Sequence, residues 1–302
     1  MDRNSAIGLT LIAVLLLVYF NFLAPNPEPP KAAPAEATTE IVGKDSAISE
    51  SKDLQIDSLS RSNYGSLSSF LSGNEEITTV ENADLKIKLS NQGRIEEVEL
   101  KNFKTYSQTP LYLAQKENNR FSLIGNYEGK DVDLYKLFYN VSQTKKSDTT
   151  QIVFTAKTSE YGFVKHIYSI PPSGYQIGYE VQTSGVNLGS KNLTYRWHDA
   201  IQLQEKAIAD SRTKTNLNYY FTNGDYDYTS QTATELKSEI LVNPIKWVSI
   251  RQKFFISSII AKNSFSGGEI QIVANEKDPQ VVKVADLELY IPVEDVASKK
   301  AA

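Results

Sequence analysis

No cysteine occurs among the 302 residues. That excludes disulfide bracing, thiolate nucleophiles and thiolate metal sites. Histidine is nearly as scarce, at two copies, which leaves few routes to a histidine-based acid–base pair or metal centre. The chain contains no H-E-x-x-H pair, no G-x-x-x-x-G-K loop, no G-x-G-x-x-G turn and no G-x-S-x-G elbow. The common signatures of zinc hydrolysis, nucleotide binding and serine hydrolysis are therefore missing. An excess of basic charge is lacking too. The net charge is −4, the wrong sign for a nucleic-acid partner, whose phosphates need clustered lysine and arginine. Without staples the fold must rest on a sizeable apolar core, which about 200 residues can supply.

The most prominent feature present is the run AIGLTLIAVLLLVYFNFLA at residues 6–24, which carries no charge. As a helix rising about 1.5 Å per residue it covers roughly the 30 Å hydrocarbon core of a bilayer. A lone segment in lipid must satisfy its own backbone hydrogen bonds, so a helix is its expected state. Tyr19 and Phe22 fall at the exit side, where aromatic rings favour the interface. The run exceeds the core of an ordinary signal peptide, and no small-x-small cleavage site follows it closely. Residues 1–24 therefore read as an uncleaved anchor. The amino terminus and Arg3 favour a cytoplasmic start, and the large polar region after a single span is expected outside the cytoplasm.

Composition changes sharply at residue 25. Five of the eleven prolines lie between Pro25 and Pro34, and the following stretch is rich in Ala, Glu, Ser and Thr. Residues 25–76 read as a flexible tether, since such a segment buries too little apolar area to offset its chain entropy. Leu67, Phe70 and Leu71 fall at helical spacing before Gly73. Both a short docked helix and a solvated loop fit that pattern.

From residue 77 the period becomes two. Leu85, Ile87 and Leu89 alternate with Asp84, Lys86 and Lys88, then Asn91-Gln92-Gly93 marks a turn and RIEEVEL a returning strand. Similar runs follow at QIVFTAK, GFVKHIYSI, YQIGYEVQT and NLTYRWH. The clearest sets Tyr175, Ile177, Tyr179 and Val181 against Gln176, Gly178, Glu180 and Gln182. AIQLQEKAIA, residues 200–209, is the one stretch of the domain expected to be helical. Strands resume near residues 217–221 and 240–242, then in WVSIRQKFFISSIIA, EIQIVA and VVKVADLELYI. Many strands with short turns predict an all-β fold, a large antiparallel β-sandwich over residues 77–302.

His166 lies in phase with Val164, Tyr168 and Ile170, as a structural histidine on a strand face would. His198, between Trp197 and Asp199, has no second ligand at metal spacing. Asn223, Asp225 and Asp227 start like a calcium loop, but Tyr228 stands where glycine is needed and Glu235 comes one position late. A tyrosine-rich turn fits better. The sequons at Asn140 and Asn192 matter only in a eukaryotic secretory route. Glu96-Glu97 and Asp131-x-Asp133 read as solvated acidic surface. No residue is singled out as catalytic, cofactor-binding or metal-ligating, and no cofactor is implied.

Three places in order resemble one family, the YidC-type membrane protein insertases in their Bacteroidetes-like form. They are the opening Met1-Asp2-Arg3-Asn4-Ser5 with its span and proline-rich tether, residues 77–106 (ITTVENADLKIKLSNQGRIEEVELKNFKTY), and residues 247–261 with Trp247, Gln252 and the pair Phe254-Phe255. The resemblance implies a periplasmic β-supersandwich, similar in shape to galactose mutarotase-like domains. It also implies an inner-membrane location, with five further spans forming an insertase core absent before Ala302. The sandwich is then expected to lack its last strand. Implied partners are the Sec translocon, its SecDF accessory proteins and nascent membrane proteins, with lipid around the N-terminal helix and no nucleic acid. A membrane-tethered carbohydrate-binding or mutarotase-like protein is the alternative reading. A scaffold lipoprotein is a third, weakened by the missing lipobox cysteine.

The anchor reading predicts that the chain stays in the membrane pellet after alkaline carbonate washing. A soluble product starting near Glu36 would identify residues 6–24 as a cleaved signal peptide.

Overall fold

A computed structural model describes residues 61–189 and 192–296. The expected span at residues 6–24 and the tether up to residue 60 lie outside the described residues. Among the described residues no helix is long and apolar enough to cross a membrane.

Four antiparallel sheets make up the body. The first is a meander of β1 (Ile77–Glu81), β2 (Leu85–Ser90), β3 (Ile95–Lys104) and β4 (Pro110–Gln115). The second is a meander of β7 (Asn140–Lys146), β8 (Thr149–Lys157), β9 (Phe163–Ile170) and β10 (Gly178–Ser184). The third draws on distant parts of the chain. It contains β5 (Asn119–Tyr127), β6 (Lys130–Asp133), β11 (Asn192–Gln202), β14 (Lys237–Leu241), β17 (Gly268–Ala274) and β18 (Val281–Pro292). Its order is β14-β17-β18-β11-β5-β6. The fourth, ordered β13-β12-β15-β16, holds β12 (Asn216–Phe221), β13 (Tyr226–Tyr228), β15 (Ile245–Arg251) and β16 (Ile256–Phe265). The fold is the all-β sandwich that the period-two runs predict.

Two apolar cores fill it. One gathers Leu85, Ile87 and Leu89 of β2 with Ile152 and Phe154 of β8 and Val164 and Tyr168 of β9. The other gathers Leu217, Val248 and Ile250 of the fourth sheet with Ile270, Leu287 and Leu289 of the third. Phe121, Tyr195 and Ile291, all in the third sheet, pack against both cores.

The β2–β3 hairpin turns at Gly93, whose φ of +74° is open to glycine at little cost. A Cβ there would come within 2.8 Å of the His166 ring, so the turn also needs the missing side chain.

The stretch Arg61–Phe70 is helical and docked. Residues 61–64 form one α-turn, which runs into a 3-10 helix, Gly65–Phe70. Tyr64 and Leu67 are buried in the first core. Tyr64 donates its hydroxyl to the Asp133 carbonyl at 3.2 Å and accepts from the Asp133 amide at 3.0 Å. Phe138 N–H donates to the Phe70 carbonyl at 2.7 Å. Of the two readings left open by the sequence, the docked helix is the one found.

Two expectations are corrected. Residues 200–202 are not helical but complete β11, and the helix comes later and shorter as α1 (Ile208–Arg212). The reason is tertiary: Trp197, Asp199 and Ile201 alternate inward while β18 pairs with the strand up to Gln202. The run near Tyr175 starts late. β10 begins at Gly178, and Tyr175 stays exposed in a loop that Gly174 N–H ties to the Asp84 carboxylate at 2.6 Å. β18 pairs with β17 on one side and β11 on the other.

Leu67→Ala should lower unfolding stability by about 2–5 kcal/mol, the usual cost of truncating a fully buried leucine. The check is the urea midpoint followed by fluorescence of Trp197 and Trp247, the two tryptophans. An unchanged midpoint would show that the helical segment does not belong to the folded body.

Candidate functional site, a polar cleft at Asp199

Asp199 and Asn119 face each other across the β5–β11 ladder. Both side chains are buried. The inward period of β11 that places Trp197 and Ile201 in the second core carries Asp199 to the end of that core. Trp197 Nε1–H donates to Asn119 Oδ1 at 2.9 Å. With its oxygen so engaged, the Asn119 amide is left to donate its N–H to the Asp199 carboxylate, the bond that favours the charged form. Burial outweighs it and pushes the Asp199 pKa up to about 7.

Around this carboxyl lies a cleft lined by amides, among them Gln115, Asn118, Gln202, Gln204 and Gln252. Gln204 Nε2–H donates to the Tyr112 carbonyl at 3.0 Å, and Gln202 Nε2–H to the Ala200 carbonyl at 2.7 Å. Past Gln252 the cleft continues to Ser211 and out to Lys253, Phe254 and Phe255. The Ser211 hydroxyl is buried there without a partner. The space beside Asp199 is about 10 Å³, room for a single water and not for a sugar ring. Polar groups converge here, but the cleft is closed to a ligand of that size.

A second buried ionisable site is sealed. His166 is fully buried in the first core, with Nε2 2.9 Å from the Tyr139 hydroxyl and Nδ1 2.7 Å from the Tyr179 hydroxyl. Tyr139 spends its own proton on the Leu134 carbonyl at 2.8 Å, so it accepts from Nε2–H. Tyr179 accepts from Tyr135 at 2.8 Å and donates to Nδ1. This pattern fits the neutral Nε2–H tautomer. Desolvation holds its pKa at about 3. It is the structural histidine that its strand phase predicts.

His198 points to the opposite side of β11 from Asp199, with Nδ1 2.7 Å from Asp286 Oδ1 on exposed surface. Asn223 and Asp225 form the turn of the β12–β13 hairpin: Asp225 N–H donates to Asn223 Oδ1 at 3.1 Å. Among the described residues no group of three His, Cys, Asp or Glu side chains could hold a metal ion. Glu97 is half-buried, 2.9 Å from Lys88, and Glu96 is buried, which corrects the expectation of a solvated pair. A register shift between β2 and β3 sets Ile95 and Glu97 opposite Leu89 and Lys88, so Glu96 is the extra residue and turns inward. There it meets Arg94 at 2.7 Å. Asp131 accepts from Asn126 at 3.2 Å, whereas Asp133 accepts from the amides of Leu123 and Tyr135. Asp199 itself was not picked out as a site from the sequence. Its signal was an acid in phase with Trp197 and Ile201 on an inward strand face.

Residues 77–301 match the model of the YidC periplasmic domain. The chain belongs to that family. The membrane protein insertase YidC of Cytophaga hutchinsonii is 30% identical over 321 residues, covering 100% of this chain and 51% of that protein. The YidC insertases of Amoebophilus asiaticus and Parabacteroides distasonis are each 26% identical, covering 94% and 88% of this chain and 48% and 45% of their own lengths. The chain thus spans about half the length of the YidC relatives it matches.

Asp199 and His166 give the YidC domain opposed pH dependences. The Asp199 pKa is raised on folding, so its favourable contribution is complete below about pH 4 and is lost as pH rises toward 7. His166 is depressed on folding, so its contribution is complete above about pH 6.5 and is lost as pH falls toward 3. Replacing Asp199→Asn removes the first effect. The stability advantage of the variant over the parent should grow by about 1.4 kcal/mol per pH unit from roughly pH 4 to 7, then level off. Denaturant titrations at stepped pH measure it, and an advantage constant across pH would contradict the burial account.

Proposed function

We propose that this chain is the anchor and periplasmic domain of a membrane protein insertase. The family match over residues 77–301 carries this reading. In it, residues 6–24 hold the chain in the inner membrane and the sandwich stands in the periplasm. The sandwich is a folded body presented beside the Sec translocon and SecDF, where nascent membrane proteins emerge. It performs no chemistry of its own. The closed cleft at Asp199 and the saturated hydrogen bonding of His166 support that last point, because a mutarotase-like enzyme needs an acid–base pair exposed to a bound sugar.

Insertion itself needs more than this chain. Placing one charged side chain at the bilayer centre costs about 2.5–3.5 kcal/mol even on the insertion scale, and lowering that cost takes a polar surface shielded among several helices. One uncharged span at residues 6–24 offers none.

In cells depleted of their insertase, residues 1–302 alone should fail to restore growth. The same residues joined to the membrane core of the Cytophaga hutchinsonii relative should restore it. Rescue by residues 1–302 alone would overturn the division of labour. In a parallel assay the purified chain should leave the anomer interconversion of hexoses at its spontaneous rate; an acceleration abolished by Asp199→Asn would replace the insertase reading with the enzymatic one.

A further inference from the structure

Sheet edges invite pairing with another strand, and folded proteins blunt them with shortness, charge or proline. Four of the eight sheet edges here are blunted so. β13 and β6 are three and four residues long, β7 ends in Lys145 and Lys146, and β4 opens on Pro110. β14 is different. Among the described residues no strand pairs with its outer side. Its outward positions are Leu236, Ser238, Ile240 and Val242, and the three aliphatic side chains are 57%, 75% and 77% exposed. Ile240 and Val242 are the most exposed aliphatic residues described.

This apolar row stops at the edge. On the neighbouring strand β17 the positions beside Ser238 and Ile240 are Gln271 and Glu269, which hydrogen-bond each other at 2.8 Å. A partner lying over the sheet face would meet these polar groups, whereas a partner lying alongside β14 meets the aliphatic row and the free backbone groups together. The missing partner is therefore a strand.

The residue order then selects which strand. If two copies of β14 run antiparallel about a two-fold axis at Ser238, Leu236 faces Ile240 and Lys237 faces Glu239, each twice. Aliphatic and opposite-charge pairs are the favourable cross-strand combinations. Moving the axis to Glu239 sets that carboxylate against its own copy; moving it to Lys237 sets two lysines together and Glu235 against Glu239. Of these three only the axis at Ser238 satisfies both faces; an axis at Leu236 would also pair Lys237 with Glu235, but it lies outside the strand, whereas Ser238 lies within β14. Glu239 is also held in place for it, accepting a hydrogen bond from the Tyr219 hydroxyl. We propose that two copies of this chain associate through β14 in this register, joining their six-stranded sheets into one continuous sheet.

The absence of cysteine makes the test direct. Residues facing each other across an antiparallel pair have Cα atoms about 4.5–5.5 Å apart, within the range a disulfide spans. In the full chain in detergent, Ser238→Cys under mild oxidation should give a covalent dimer at least about tenfold faster than Ser142→Cys, an exposed control on the lysine-ended edge strand β7, because only the former holds two thiols together. Adding Ile240→Lys should bring the Ser238→Cys rate down to that of the control. Equal rates at the two cysteines, or a Ser238→Cys rate untouched by Ile240→Lys, would overturn the association. Faster crosslinking of Ile240→Cys than of Ser238→Cys would overturn the register.

Discussion

Everything in this fold leans on β11. Its eleven residues all pair with β18, and six of them pair with β5 on the other side. Its inward row runs Leu193, Tyr195, Trp197, Asp199, Ile201. Leu193 belongs to the first core, Trp197 and Ile201 to the second, and Tyr195 touches both. Fully burying one large apolar side chain is worth about 1.5–3 kcal/mol, so a break in this strand would cost both cores at once. Two sandwiches that share a strand in this way should fold as one unit and not as two.

The same constraint explains the character of the buried polar groups. A strand continuous through both cores drags whatever lies at its inward positions into the interior, Asp199 included. Burying such groups is costly unless they are paired, and three buried ionisable groups are. Asp199 has Asn119, itself oriented by Trp197. His166 sits among three tyrosines. Lys283, facing Ile201 in the ladder, donates to the Gln231 carbonyl at 3.0 Å and is pushed down by desolvation to about 8. Each is tied by a neighbour that a reaction would have to displace. These are groups that hold the shape of the body.

Much of this was legible in the sequence because the signals were local. The alternation at Leu85, Ile87 and Leu89 sets the β2 face, and Asn91-Gln92-Gly93 sets its turn. The strand phase of His166 announced its burial. What the sequence hid was tertiary. Residues 200–209 carry apolar spacing that suits a helix, yet Ile201 follows the strand because β18 is there to pair with it. Glu96 enters the core through one extra residue in β3, a device with no compositional mark. Asp199 belongs to a cleft made by the β4–β5 connection, the end of β11 and the turn at Gln252, three stretches far apart in the chain. The site was therefore less readable than the fold.

Native-state hydrogen exchange on the full chain tests the central claim most directly, that β11 fuses two cores into one rigid body closed to small ligands. Amides of β9 in the first core and β15 in the second should open with one common free energy, and added hexoses should leave exchange near Asn119 and Asp199 unchanged. Independent opening of one core, or sugar-dependent protection around Asp199, would contradict the account.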